Sequence, residues 1–239
     1  FHERFKHYFF LGDDVLLNPI IHERNYMQHL HLNENYSFLP NFISMDETGN
    51  SWQRFDEAFK YNPSNSGAEV EKELPDRNIA LQAFKKHGLE IKPLLFKEKV
   101  KKEKLEKWYN LQQILKNAIW KMRCFKNRNK TYHLPYPVAG SYSDIFVISS
   151  NVIKEFCHYC GVFAATNLFV ELAIPTALIL TSDKIVTESE IFLKGDVMWT
   201  QADFQFLEKY NNQLKKLLNE FPPTLLYIHP IKLSKWNVN

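Results

Sequence analysis

Cysteine is scarce in this chain, with Cys124, Cys157 and Cys160 the only three among 239 residues. Three thiols cannot build a disulfide framework, and an odd number suits a reducing compartment, so a cytoplasmic setting is expected. Long apolar runs are missing too: nothing approaches the roughly 18 uncharged apolar residues that a membrane-spanning helix needs. The opening Phe1 to Lys6 lacks the apolar centre of a signal peptide, and a start at Phe1 rather than methionine reads as a truncated or processed end. There is no internal repeat, and no groove-reading motif accompanies the basic residues, so nucleic acid is not expected as a partner. Cys157-His158-Tyr159-Cys160 has metal-like spacing, but structural zinc takes four ligands and only one further cysteine remains. His22, His29 and His31 lie close together in the chain without a supporting acid pattern and read as surface histidines.

What is present is apolar material. Hydrophobic residues make up 45% of the chain and aromatic residues 15%, which supplies a packed interior and argues against wholesale disorder. The length fits one domain, or one domain with a long insertion. The pattern is α/β. His7 to Leu11 (HYFFL), closed by Gly12-Asp13-Asp14, reads as a strand buried on both faces in a parallel sheet. Ile145 to Ile148, Ala173 to Leu180 and Leu225 to Ile228 read as further strands, and Leu89 to Phe96 as a short one. Helices are expected over Asn78 to His87 with Gly88 as C-cap, and from Ser149 or Ser150 through Tyr159. Another is expected from a Thr200/Asp203 cap continuously to Phe221 before Pro222-Pro223. Asn41 to Asn50 and Tyr61 to Gly67 read as loops.

Charge is unevenly spread. Between Lys97 and Lys130 twelve Lys or Arg stand against three Glu, a local +9 in a chain whose total is +3. Leu105, Trp108, Leu111, Leu115, Ile119 and Met122 recur at three- and four-residue steps, which predicts an amphipathic helical insertion with a cationic face. That is either a solvated surface helix or an attachment to an anionic membrane or a polyanionic acceptor.

Asp13 and Asp14 end an apolar strand, where open α/β sheets place their ligands. Adjacent carboxylates repel unless a cation or donors neutralise them, and a hard divalent ion shared with diphosphate oxygens is a common solution. The string Tyr8-Phe9-Phe10-Leu11-Gly12-Asp13-Asp14-Val15-Leu16-Leu17-Asn18-Pro19 resembles the strand and metal motif of GT-A fold nucleotide-sugar glycosyltransferases. Gly12 replaces the first acid of the family's usual triplet. Leu134 to Phe146 (LPYPVAGSYSDIF) is similar to the family's acceptor-side turn and strand, with Gly140 allowing close approach to a sugar ring. Asn167 to Pro175 (NLFVELAIP) sets Glu171 in an apolar run. Tyr227-Ile228-His229-Pro230-Ile231-Lys232 resembles the C-terminal histidine that completes the metal site in several families of this fold.

The resemblance implies a partial GT-A-like domain over 1–239, with a mixed, largely parallel sheet flanked by helices and the basic insertion at 97–130. Its nucleotide-binding strands would lie upstream of Phe1. It implies transfer of a sugar from a nucleotide diphosphate sugar to a hydroxyl of a glycan or glycolipid, assisted by Mn²⁺ or Mg²⁺, as in polysaccharide biosynthesis. Asp14 and His229 would hold the metal, Asp13 would contact ribose or sugar, and Lys232 would neutralise the leaving diphosphate. Glu171 would act as base with Asp144 as acceptor contact, or the reverse. The expected location is cytoplasmic, with peripheral attachment to the inner face of a membrane as the option that the basic helix leaves open. Two alternatives remain: another metal-dependent phosphoryl-transfer enzyme, and a non-catalytic module that docks through its basic helix.

Overall fold

The computed structural model describes residues 5–46, 52, 54–65, 67, 69–95 and 111–237. Its strands in chain order are β1 (His7–Leu11), β2 (Leu16–Leu17), β3 (Tyr36–Phe38), β4 (Ile43–Ser44), β5 (Leu94–Leu95), β6 (Thr131–Tyr132), β7 (Ala139–Gly140), β8 (Ile145–Ser149), β9 (Lys184–Val186), β10 (Lys194–Val197) and β11 (Leu225–His229). The α-helices are α1 (Tyr26–His29), α2 (Phe55–Lys60), α3 (Arg77–Lys86), α4 (Leu111–Lys126), α5 (Ile153–Ala165), α6 (Val170–Thr181), α7 (Gln201–Glu208) and α8 (Leu214–Asn219). The protein is thus mixed α/β, as its patterning implies.

The chain divides into two compact units, one made of 1–42, 141–158 and 177–239, the other of 43–140 and 159–176. The first unit carries a four-stranded sheet in the order β1-β8-β3-β9 and a three-stranded sheet in the order β10-β11-β2. Every residue of β8 (IFVIS) is buried, which a central strand with covered faces requires. Phe38, Ile145, Val147, Val186, Ile191, Leu193, Leu226 and Tyr227 form one core cluster; Met198, Tyr210, Leu217, Ile228 and Ile231 form another. Truncating a fully buried phenylalanine such as Phe38 to alanine costs roughly 3–5 kcal/mol in comparable cores.

Several expectations are corrected. β1 is an edge strand paired antiparallel with β8, not a strand buried on both faces among parallel neighbours. Phe10 and Leu11 are exposed, and the Phe10 ring stacks on Phe146 at 4.7 Å while also meeting Phe156. Stacking of aromatic rings on a half-covered edge accounts for the apolar run that imitates an interior strand. The sheets are mixed rather than largely parallel: among the described residues only β10 with β11 and β3 with β9 run parallel, against five antiparallel pairings.

Ala173 to Leu180 lies inside helix α6, with Pro175 in its interior. Leu172, Ala173 and Ala177 to Ile179 are all buried. A helix covered on nearly every side loses its 3.6-residue alternation and becomes indistinguishable from a strand by periodicity. The stretch from Phe204 to Phe221 is two helices rather than one. Asn211 and Asn212 take positive φ between α7 and α8, and asparagine enters that left-handed region more readily than most residues. The helix after Ser149 starts later and runs further than expected, over Ile153–Ala165. Of Leu89 to Phe96 only Leu94–Leu95 is a described strand.

In the second unit, α3 starts one residue earlier than the expected Asn78, on an Asp76 cap whose side chain accepts from the Asn78 and Ile79 amides; after its last residue, Lys86, the chain turns through Gly88 at φ +79, the glycine that the sequence marks as the end. Gly140 does not offer its open face to a ligand: a Cβ there would lie 2.3 Å from the Trp52 ring, which fills the space. The basic segment is helical over Leu111–Lys126; residues 96–110, including Lys101, Lys102, Lys104, Leu105 and Trp108, lie outside the described residues, so no long insertion is seen as a whole. Among the described residues no helix is long and apolar enough to cross a membrane.

Candidate functional site

Two strand registers bring three of the six candidate residues to one point in the first unit. β1 and β8 run antiparallel with Leu11 opposite Ile145, so the next residue outward on each strand, Gly12 and Asp144, also face each other. The Gly12 amide donates to the Asp144 carbonyl at 2.7 Å. After the acidic turn, β2 pairs antiparallel with β11, Leu16 opposite Ile228, which puts His229 beside the residues that precede Leu16. Beyond His229 the chain is tied to the same turn: the Ile231 amide donates to the Asp14 carbonyl at 2.6 Å. Residues more than 200 positions apart are thereby fixed by backbone hydrogen bonds, which leaves their side chains free for chemistry.

The imidazole of His229 stands between two carboxylates. Its Nε2 is 3.1 Å from Asp14 Oδ1, and its Nδ1 is 3.7 Å from Asp144 Oδ2. The ring is well covered, at 12% side-chain exposure, whereas Asp14 and Asp144 are 35% and 39% exposed. Nδ1 is buried without a hydrogen-bond partner, and 3.7 Å is too long to count as one. A neutral imidazole carries one N–H, so one ring nitrogen must present its lone pair to a carboxylate. Either a second proton on the ring or a cation shared by Nε2 and Asp14 removes that repulsion. Two cis ligands on a six-coordinate divalent ion, each about 2.1 Å from it, lie about 3.0 Å apart, close to the 3.1 Å found between Nε2 and Oδ1. The pair therefore fits two corners of an octahedral site, with the Asp144 carboxylate standing behind Nδ1 at a distance beyond a hydrogen bond. Among the described residues no group of three or more His, Cys, Asp or Glu side chains is placed to hold a metal ion, so a metal here needs most of its ligands from substrate or water.

The remaining candidates stand elsewhere. Asp13, beside Asp14 on the turn, is exposed. Lys232 is exposed too and lines a cavity of about 680 Å³ with Phe204, Pro230, Ile231 and Trp236. Glu171 belongs to the second unit, in the first turn of α6. Its carboxylate lies 3.7 Å from Arg54 Nε. The same guanidinium packs over the Phe169 ring at 3.3 Å and meets Glu57 at 3.5 Å. That is an ion-pair network on an aromatic face, and the guanidinium offsets the charge that the apolar sequence context left unexplained, at ion-pair rather than hydrogen-bond distance.

One acid near the site carried no sequence signal. Glu188 accepts from the Gly195 amide at 3.0 Å, and burial pushes its carboxyl above the usual range against the opposing pull of Gly195, Lys194 and Tyr227. Tyr227 lies two residues before His229 on the same face of β11, and burial, with Glu188, Asp144 and Asp196 nearby, pushes its phenol upward. Gly195 is required beneath that ring, since a Cβ would come within 2.1 Å of it. Burial also raises Asp196, helped by Asp203. The surroundings of the imidazole are thus acid-rich, a field that favours a cation. Compared with known proteins, the chain matches no family model, no curated protein and no solved structure.

Proposed function

We propose that this chain is the metal-binding and acceptor-side part of a nucleotide-sugar-dependent glycosyltransferase. The observation that carries this reading is the convergence of Asp14, Asp144 and His229, three residues from three separate sequence matches in the order the resemblance requires. Asp14 and His229 are the ligands for Mn²⁺ or Mg²⁺. The bound ion would supply the positive charge that a diphosphate needs as it leaves the sugar. Asp144, 39% exposed behind the imidazole, is the carboxylate we assign to accept the proton of an acceptor hydroxyl. Glu171 is the weaker choice for that base because Arg54 stabilises it as an anion. Asp13, on the exposed side of the turn, is available to ribose or sugar hydroxyls. Lys232, in the cavity that begins at Pro230, is available to the diphosphate, and the acceptor is a glycan or glycolipid.

Calorimetry tests the assignment. A nucleoside diphosphate should bind the wild-type chain only when Mn²⁺ is present, and Asp14→Ala should remove that binding. Metal-dependent binding that survives the substitution would refute the reading. Hydrolysis of a plain phosphodiester without sugar transfer would move the same metal pair to the phosphoryl-transfer alternative.

A further inference from the structure

Helix α4 faces the wrong way for an ordinary surface helix. Among its residues whose side chains are described, the half-buried ones are Trp120 and Cys124, one turn apart. Leu115, Ile119, Met122 and Phe125 point outward, with 62, 48, 72 and 71% of their surface exposed. Spacings of four, three and three residues put these side chains on one stripe. Lys121 and Arg123 flank the stripe and Lys126 closes its C-terminal end, all exposed, and together with Ile119, Met122 and Phe125 they line a surface groove of about 560 Å³. Beyond the helix, Arg128 packs over the Phe125 ring at 4.9 Å, and Lys130 over Tyr132 at 5.4 Å. From Lys107 to Ser143 the sequence contains no Asp or Glu. The outward face is therefore apolar at its centre and cationic at its margins, with no acid along the segment.

We infer that the α4 face docks on an anionic lipid surface, with Leu115, Ile119, Met122 and Phe125 entering the interfacial region and Lys121, Arg123, Lys126, Arg128 and Lys130 meeting lipid phosphates. The charge pattern selects this occupant. A second copy of the chain would oppose one cationic margin to another, and a neutral apolar partner leaves five cations without a counter-charge. Long basic side chains suit the arrangement because their stems lie along the apolar boundary while their heads reach the phosphates. The inference stands apart from the sugar-transfer reading, and neither needs the other.

Vesicle co-sedimentation tests it on the whole chain. Wild-type protein should bind phosphatidylcholine vesicles containing phosphatidylglycerol, bind pure phosphatidylcholine vesicles far less, and release as salt rises. Because both residues are exposed, Met122→Asp with Phe125→Asp should leave the circular dichroism spectrum and melting temperature unchanged while lowering partitioning at least about tenfold. Lys121→Gln and Lys126→Gln should each lower it roughly fivefold. Equal binding to both vesicle types, no binding to either, or partitioning unaffected by the Asp pair would overturn the inference. So would concentration-dependent self-association abolished by the Asp pair without vesicle binding, which would assign the face to a second copy.

Discussion

His229 is the residue on which the proposed function turns, and His7 shows how differently the same side chain is held when its hydrogen-bond partners are present. The Nε2 of His7 lies 3.0 Å from the carbonyls of both Asn33 and Tyr36, and Nδ1 lies 2.9 Å from the Tyr26 hydroxyl. Carbonyls only accept, so Nε2 carries the proton and Nδ1 accepts from Tyr26. Burial lowers the pKa of His7 despite the two carbonyls that oppose the shift. The fold therefore prefers the neutral ring, and below the ordinary imidazole value near 6.5 the unfolded chain binds the extra proton more readily. The contribution of His7 to stability should be full above that value and be lost as pH falls beneath it. Denaturant unfolding between pH 7.5 and 5 should show the decline, and His7→Gln should flatten it; an unaltered slope in the variant would remove His7 as the cause. His229 has no comparable set of partners, and that deficit separates a site from a core histidine. Sequence pointed to His229 alone, and the facing carboxylates of Asp14 and Asp144 distinguish its ring from that of His7.

At the scale of elements, local signals were read correctly where the chain's own chemistry decides the outcome. Thr200 and Asp203 form the expected capping box: Asp203 accepts from the Trp199 and Thr200 amides at 2.9 and 2.7 Å, and Thr200 accepts from the Asp203 amide at 3.4 Å. Thr200→Ala should cost about 1 kcal/mol of stability, measurable by urea denaturation; no loss would mean that Asp203 alone carries the cap. Gly88 at the end of α3 was equally legible, and the helix start fell one residue before the expected Asn78. Elements decided by surroundings were not. Helix α6 looks like a strand because neighbours cover almost all of it, and β1 looks like an interior strand because Phe10 finds aromatic partners at a sheet edge. The break at Asn211 and Asn212 fell inside a run of well-spaced apolar residues, where two polar residues alone give little warning of left-handed backbone.

For the whole molecule, the class of fold was legible and the connectivity was not. A 3.6-residue pattern interleaved with apolar runs predicts mixed α/β, but strand order depends on pairings between positions as distant as Leu17 and Tyr227, which no local window contains. The same limit governed the site. Asp14, Asp144 and His229 were each nominated from short strings, and their meeting follows from the β1/β8 and β2/β11 registers. Glu171 was nominated on the principle that a buried carboxylate must be paired or must work, and the pairing with Arg54 supplies the first answer. Glu188 went unnoticed because no apolar strand or repeated acid marks it.

We propose that one divalent ion is shared by His229, Asp14 and a diphosphate, and pulsed electron paramagnetic resonance on Mn²⁺ reads the imidazole and phosphate contacts directly. With Mn²⁺, a nucleoside diphosphate and the wild-type chain, the spectrum should show imidazole nitrogen and phosphorus couplings on the same ion. His229→Gln and Asp14→Ala should each remove the nitrogen coupling and leave the phosphorus-only spectrum of the Mn²⁺–nucleotide complex in solution. A phosphorus-only spectrum with the wild-type chain, or a nitrogen coupling that persists without His229, would contradict the account.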